Sequence, residues 1–318
     1  MKHYILLLYF CCISNFVFAI PHIHVPQDVY PGDPIRVVLY DTKPVKSVTA
    51  VLENENGKII GRNDGFYFPV DKDDGVWIVL LGLPSTLAPG SYVIVIEGTH
   101  DIETFSVQNR LTLHTKNFKK EEIPLNLTMS ELRSSDNPKK IEETRKMISL
   151  LQTFDKYALY HTGEFSIPLT DAIVSSFFGD RRTFQYSDGN EARAIHFGID
   201  LVKPTGTEVM ACGRGKVVFA DVRILTGKTV VIEHLPSVYS LYYHLYDNAV
   251  EEGDIVEQGD VIGQVGSTGL VTGAHLHWEM RVGAVPVSPN YLIENNLLDK
   301  DEISTIMNIL NAGELNKL

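Results

Sequence analysis

Between residues 20 and about 110 the chain alternates short apolar runs with clusters of turn-forming residues. "PIRVVLY", "SVTAVLE", "GVWIVLLGL" and "GSYVIVIEG" each read as a strand, some by strict alternation and some as unbroken apolar stretches. "PGDP", "ENENG", "DKDDG" and "LAPG" separate them. The pattern predicts a mostly β protein that begins with an immunoglobulin-like β-sandwich over residues 20–110. This half carries no cluster of titratable residues and reads as a binding or spacer module. Its partner cannot be read from the residues.

The periodicity then changes. In "DNPKKIEETRKMISLLQTFDKYALY", Asn137 suits an N-cap and Pro138 the first helical position. Ile141, Ile148 and Leu151 recur near helical spacing, and Glu142 and Lys146 form an i,i+4 pair. A helix over about 139–158 is expected within a linker spanning 111–162. Its polar face carries both signs of charge, so its apolar stripe is expected to pack on a domain rather than on a membrane. From 163 to 295 the strand pattern returns in "KVVFADV", "KTVVIEHL", "SLYYHLY" and "VIGQVG", joined by glycine-rich connections. This predicts a C-terminal antiparallel β domain, followed by a helical tail over 296–318.

The N-terminus adds a destination. "MKHYILLLYFCCISNFVFA" has an early lysine, an apolar run and a small final residue, so residues 1–19 read as a signal peptide. An exported protein of the periplasm or cell envelope is expected, with no stable membrane insertion once the leader is removed. Cys11 and Cys12 lie in the leader, which leaves Cys212 alone and excludes an internal disulfide. Stability must come from the core, or from a metal. The 318-residue chain has a formal net charge of −12, which argues against nucleic-acid binding through a basic field.

The candidate chemistry lies in the second half. In "GAHLHWEM", His275 and His277 stand two apart before a strand-like run, so both face the same side. In "HFGID", His196 and Asp200 are four apart, with Gly198 between them favouring an extended stretch. His244 closes the strand "SLYYHL". Each of these alone reads as an ordinary hydrogen-bonded residue. Together, two histidines and a carboxylate are a familiar zinc set, and either His275 or His277 could complete it. Other signals fall away. "TGKT" at 226–229 lacks the earlier glycine of a phosphate loop, because position 222 is Val222. His22 and His24 follow Pro21, which has no backbone N–H for a terminal copper site.

"HFGID", "YYHL" and "HLHWE", in that order, resemble the H-x-x-x-D and H-x-H motifs and the intervening histidine of LytM/lysostaphin-type zinc peptidases. "SSFFGDRR", "GTEVMACGRGKVV" and "VEEGDIVEQGDVIGQVGSTGLVTGAHLH" extend the likeness over about 164–290. The resemblance implies a zinc endopeptidase that cuts peptide crosslinks of bacterial peptidoglycan and holds one Zn²⁺ per chain. It implies His196, Asp200 and His277 as metal ligands, and His244 and His275 as catalytic histidines. In that scheme one acts as general base and the other stabilises the oxyanion or the leaving amine, in either order. Some relatives have lost ligands and activate other wall hydrolases, so a non-catalytic wall-binding regulator is the alternative. This chain keeps all five positions.

Overall fold

The computed structural model describes residues 21–72, 74–101 and 103–312. The expected signal peptide lies outside the described residues. In chain order the first strands are β1 (His22–His24), β2 (Asp28–Val29), β3 (Pro34–Tyr40) and β4 (Ser47–Asn54). β5 (Ile59–Pro69), β6 (Gly75–Gly82), β7 (Gly90–Thr99) and β8 (Thr104–Leu113) follow. They form two layers that share the long strand β5. Its Gly65–Pro69 half pairs β6, and its Ile59–Asp64 half pairs β4. Ile35, Val37, Leu39, Val79 and Leu81 face Ala50, Leu52, Ile94 and Ile96 across the interior. The alternate residues Val38, Tyr40, Phe66, Phe68, Ile78 and Leu80 point the other way, into a second core shared with the rest of the chain. A layer buried on both faces accounts for the unbroken apolar runs of β3 and β6.

The linker is more structured than expected. It holds β9 (Lys120–Pro124), α1 (Leu127–Ser134) and α2 (Pro138–Leu151). The helix expected over 139–158 therefore stops at Leu151. Gln152 caps it, and Thr153 leaves the helical path with its Oγ1 2.8 Å from the Tyr239 hydroxyl. β9 and α1 had no counterpart in the sequence expectation.

The second β region begins with β10 (Ile173–Ser176), β11 (Arg181–Gln185), β12 (Glu191–Ile195) and β13 (Gly198–Val202). Next come β14 (Glu208–Met210), β15 (Gly215–Arg223), β16 (Gly227–Leu235), β17 (Val238–Leu245), β18 (Asp247–Asn248), β19 (Ile255–Val256) and β20 (Val261–Gln264). β21 (Leu276–Val282) and β22 (Val285–Val287) complete it, and α3 (Pro289–Glu294) and α4 (Lys300–Ala312) form the tail. The main sheet runs β10-β13-β21-β17-β16-β15-β19, with β22 on the side of β21. All its pairings are antiparallel, as expected. A small sheet, β12-β11-β9, brings the linker in as a parallel edge strand on β11. Among the described residues no helix is long and apolar enough to cross a membrane.

The two halves share apolar and polar contacts. α4 buries Ile303, Ile306, Met307 and Leu310 in the shared core, and Arg36 on β3 pairs with Glu302 at 2.7 Å. Asn63 on β5 donates to the Ser237 hydroxyl at 2.7 Å. Gly82 lies so near β22 that an added Cβ would come within 2.8 Å of Val285.

Candidate metal centre and its flanking histidines

Two adjacent central strands and one strand junction build the site. In the β13–β21 register Asp200 lies opposite His277, so antiparallel pairing places a carboxylate beside an imidazole. His196 sits at the junction of β12 and β13. Gly198 permits the close approach of β13 to β21, since a Cβ there would come within 2.2 Å of the Trp278 carbonyl oxygen. The structure thus joins the two halves of the predicted set, which lie 77 residues apart in sequence.

His196 Nε2, Asp200 Oδ1 and His277 Nδ1 converge. The separations are 3.0 Å from His196 to Asp200, 2.9 Å from His196 to His277, and 2.7 Å from His277 to Asp200. All three residues are buried. The outer nitrogens fix the tautomers: His196 Nδ1 donates to the Phe177 carbonyl at 2.9 Å, and His277 Nε2 donates to Glu279 Oε1 at 3.0 Å. In the neutral rings both inner nitrogens are then lone pairs, facing each other and a carboxylate oxygen. Three electron-pair donors with no hydrogen to share are stabilised by a cation, and the two-nitrogen, one-oxygen set suits a divalent metal such as zinc.

The charges around the cluster are balanced. Burial works to raise the Asp200 pKa, yet the close imidazoles of His196 and His277 hold it well below the usual carboxylate range. Arg182 donates to its other oxygen at 2.6 Å. Burial lowers His277, but Asp200 and Glu279 outweigh it and raise the ring to about 9. Burial lowers His196, which keeps it neutral. Glu279 is held at about 2, where burial is outweighed by the Arg281 guanidinium and by His277.

The remaining two predicted residues flank this cluster. His275 precedes β21 and is held by the Gly266–His275 bridge. Its Nδ1 donates to the Gly273 carbonyl at 2.9 Å, and its Nε2 lies 3.7 Å from Asp200 Oδ1. His244 sits near the end of β17 in a left-handed conformation, φ 62°, uncommon for a residue with a side chain. Its Nδ1 donates to the Thr268 carbonyl at 2.8 Å. Burial, with help from His275 and His277, pushes its pKa down to about 3. The His244 and His275 ring centroids are 5.0 Å apart. Both rings leave Nε2 as an acceptor. The two tyrosines before His244 divide as strand alternation requires: Tyr243 stacks on His277 at 5.3 Å and 9° between planes, while Tyr242 is fully buried and accepts from Cys212 N at 2.9 Å.

Three partners were missed in the sequence. Glu279 orients His277 from two residues further along the same strand face, a position that period-2 reasoning could have found. Arg182 is held between Asp200 and Glu121, the latter at 3.0 Å. Glu121 on β9 also accepts from Ser176 at 2.8 Å. Nothing in the local sequence links Glu121 to Arg182, because their contact depends on parallel pairing between distant segments. His234, a further histidine of the region, lies 2.7 Å from Ser240 Oγ in the core, apart from the site.

Residues 194–289 match the sequence profile of peptidase family M23. The chain is 39% identical over 136 residues to the DD-carboxypeptidase/endopeptidase Mpg of Neisseria meningitidis, covering 42% of this chain and 30% of that protein. It is 38% identical over 122 residues to the peptidoglycan DD-endopeptidase ShyC of Vibrio cholerae, covering 38% and 28%. The match therefore spans less than a third of these relatives' length. A solved structure from Pseudomonas aeruginosa, described as an M23 peptidase, superposes with a TM-score of 0.57 at 22% identity, over 83% of this chain and 94% of that one. That likeness, extending well beyond the matched domain, is one of fold.

Proposed function

We propose, from the match of residues 194–289 to peptidase family M23, that the chain is an exported zinc endopeptidase cleaving peptide bonds in bacterial peptidoglycan. The observation that carries the reading is the convergence of His196 Nε2, Asp200 Oδ1 and His277 Nδ1, each within 3.0 Å of the other two. Support also comes from the wall-acting names of the relatives. The domain would begin near residue 163, with the sandwich over 20–110 and a signal peptide over 1–19 directing it to the envelope.

In this reading His196, Asp200 and His277 hold one Zn²⁺. When bound, the ion supplies an acidified water, with a pKa near 7, and a Lewis acid for the scissile carbonyl. His275 is the general base. Its Nδ1–H is committed to Gly273, so Nε2 is free to accept the water's proton at the edge of the triad and to return it to the leaving amine. His244, neutral and with its only N–H on Thr268, offers a lone pair beside His275. It orients the water or the leaving amine N–H as an acceptor, and it would stabilise an oxyanion only after gaining a proton. Arg182 and Glu279 hold Asp200 and His277 in place.

The test is digestion of purified sacculi by the chain without its leader, read as new amino and carboxyl termini by chromatography and mass spectrometry. Cleavage should stop with a chelator, return with zinc, and fall at least 1,000-fold in His277→Ala, as removing metal chemistry implies. Binding to sacculi with zinc in place and no new termini would favour the non-catalytic regulator instead.

A further inference from the structure

The triad opens into a cleft of about 260 Å³. Besides the histidines, its charged lining residues are Arg133, Arg182, Asp200 and Glu279. Three of the four are satisfied. Arg182 and Asp200 bind each other, and Glu279 takes His277 and Arg281. Arg133 makes no hydrogen bond or ion pair through its guanidinium with any described residue, and its Nε is shielded from solvent without a protein partner. The buried Nε so placed forgoes a charge-assisted hydrogen bond, a costly omission.

The group is nonetheless held in position. Its Cζ lies 3.8 Å from the centroid of the Phe184 ring on β11. The helix that carries it, α1, is capped by Asn126, whose side chain accepts from Met129 N at 2.9 Å. Lys140 Nζ donates to the carbonyls of Leu132 and Arg133 at 3.1 and 3.0 Å. Ser130 Oγ accepts from Ser187 N at 3.0 Å, tying the helix to the β11–β12 turn. A flat, preorganised fork with free donors, facing a metal-site cleft, matches a carboxylate in two-point geometry.

We propose that Arg133 is a specificity-determining residue that receives a free carboxylate of the wall peptide next to the scissile bond. The inference rests on the peptidase reading above and names its substrate class: peptides carrying an ionised carboxylate within one or two residues of the cleaved bond. Arg133 lies outside residues 194–289, so this preference would be set by the linker and not by the matched domain.

The test uses the zinc-loaded chain without its leader and a muropeptide stem prepared in two forms, with its carboxylates free or converted to primary amides. The free acid should be preferred by about 10–100-fold in kcat/KM, the range expected for charge-assisted hydrogen bonds. In Arg133→Gln the acid-to-amide ratio should fall toward one, and Arg133→Lys should retain an intermediate ratio. Equal handling of acid and amide by the natural chain would overturn the proposal, as would an Arg133→Gln variant that slows both equally. If the natural chain cleaves neither form, the peptidase reading fails by itself. Calorimetric binding of the same two peptides then decides the role of Arg133: tighter binding of the acid, lost in Arg133→Gln, upholds it, and equal binding refutes it.

Discussion

At the scale of single residues, the site is a set of committed hydrogen bonds. Glu279 fixes the His277 tautomer, so its replacement should loosen the metal although it is not itself a ligand. Glu279→Gln should weaken zinc affinity roughly 10–100-fold, the usual effect of losing an outer partner, as measured by competition with a chelating dye. Unchanged affinity would show that the Glu279 charge plays no part. His234 makes a separate prediction about stability. It is fully buried, and burial chiefly pushes its pKa down to about 3 from 6.5. Between those values the unfolded chain binds the proton and the folded chain does not, so stability falls as pH drops from 6.5 toward 3. Two pH units of that window correspond to roughly 2–3 kcal/mol. Denaturant unfolding at pH 7 and pH 4.5 should show a larger loss for the natural chain than for His234→Gln. The five candidate positions could be picked out in the sequence because their motifs are short and local, and the structure brings His196, Asp200 and His277 together. Glu279 was not singled out, since a carboxylate on a strand carries no signal until its histidine is known to need an anchor.

At the scale of elements, the linker departs most from the sequence reading. β9 extends the β11 edge and supplies Glu121 to Arg182. Its role is to support Asp200. Glu121→Ala, which removes only that support from Arg182, should therefore be about tenfold less active on sacculi than the chain without its leader, and a chain beginning at Gly163, which also loses the sandwich and α2, should be weaker still. A faster truncated chain would instead mark the linker as an inhibitor. The sequence concealed this because β9 pairs with a strand about 60 residues away, and "KEEIP" is too short and polar to announce a strand. By contrast, the sandwich strands were readable. Their alternation records one buried face, and the unbroken runs in β3 and β6 record two.

At the scale of the whole molecule, the sandwich, the main C-terminal sheet and the C-terminal helix share an apolar core. Leu310, near the end of α4, is completely buried in it. Leu310→Ala should cost about 2–5 kcal/mol, as large-to-small core changes do, and should lower the unfolding midpoint of the sandwich and the catalytic region together. Separate transitions, with only one shifted, would show that the halves are energetically independent. That coupling was not legible, because an amphipathic tail does not reveal which face of which domain receives it. The central claim concerns the metal, and zinc X-ray absorption of the loaded chain tests it most directly. The account predicts one zinc with nitrogen and oxygen neighbours at about 2.0–2.2 Å, including two imidazoles, and its loss in His277→Ala. A sulfur neighbour at about 2.3 Å, or zinc retained in full without His277, would contradict it.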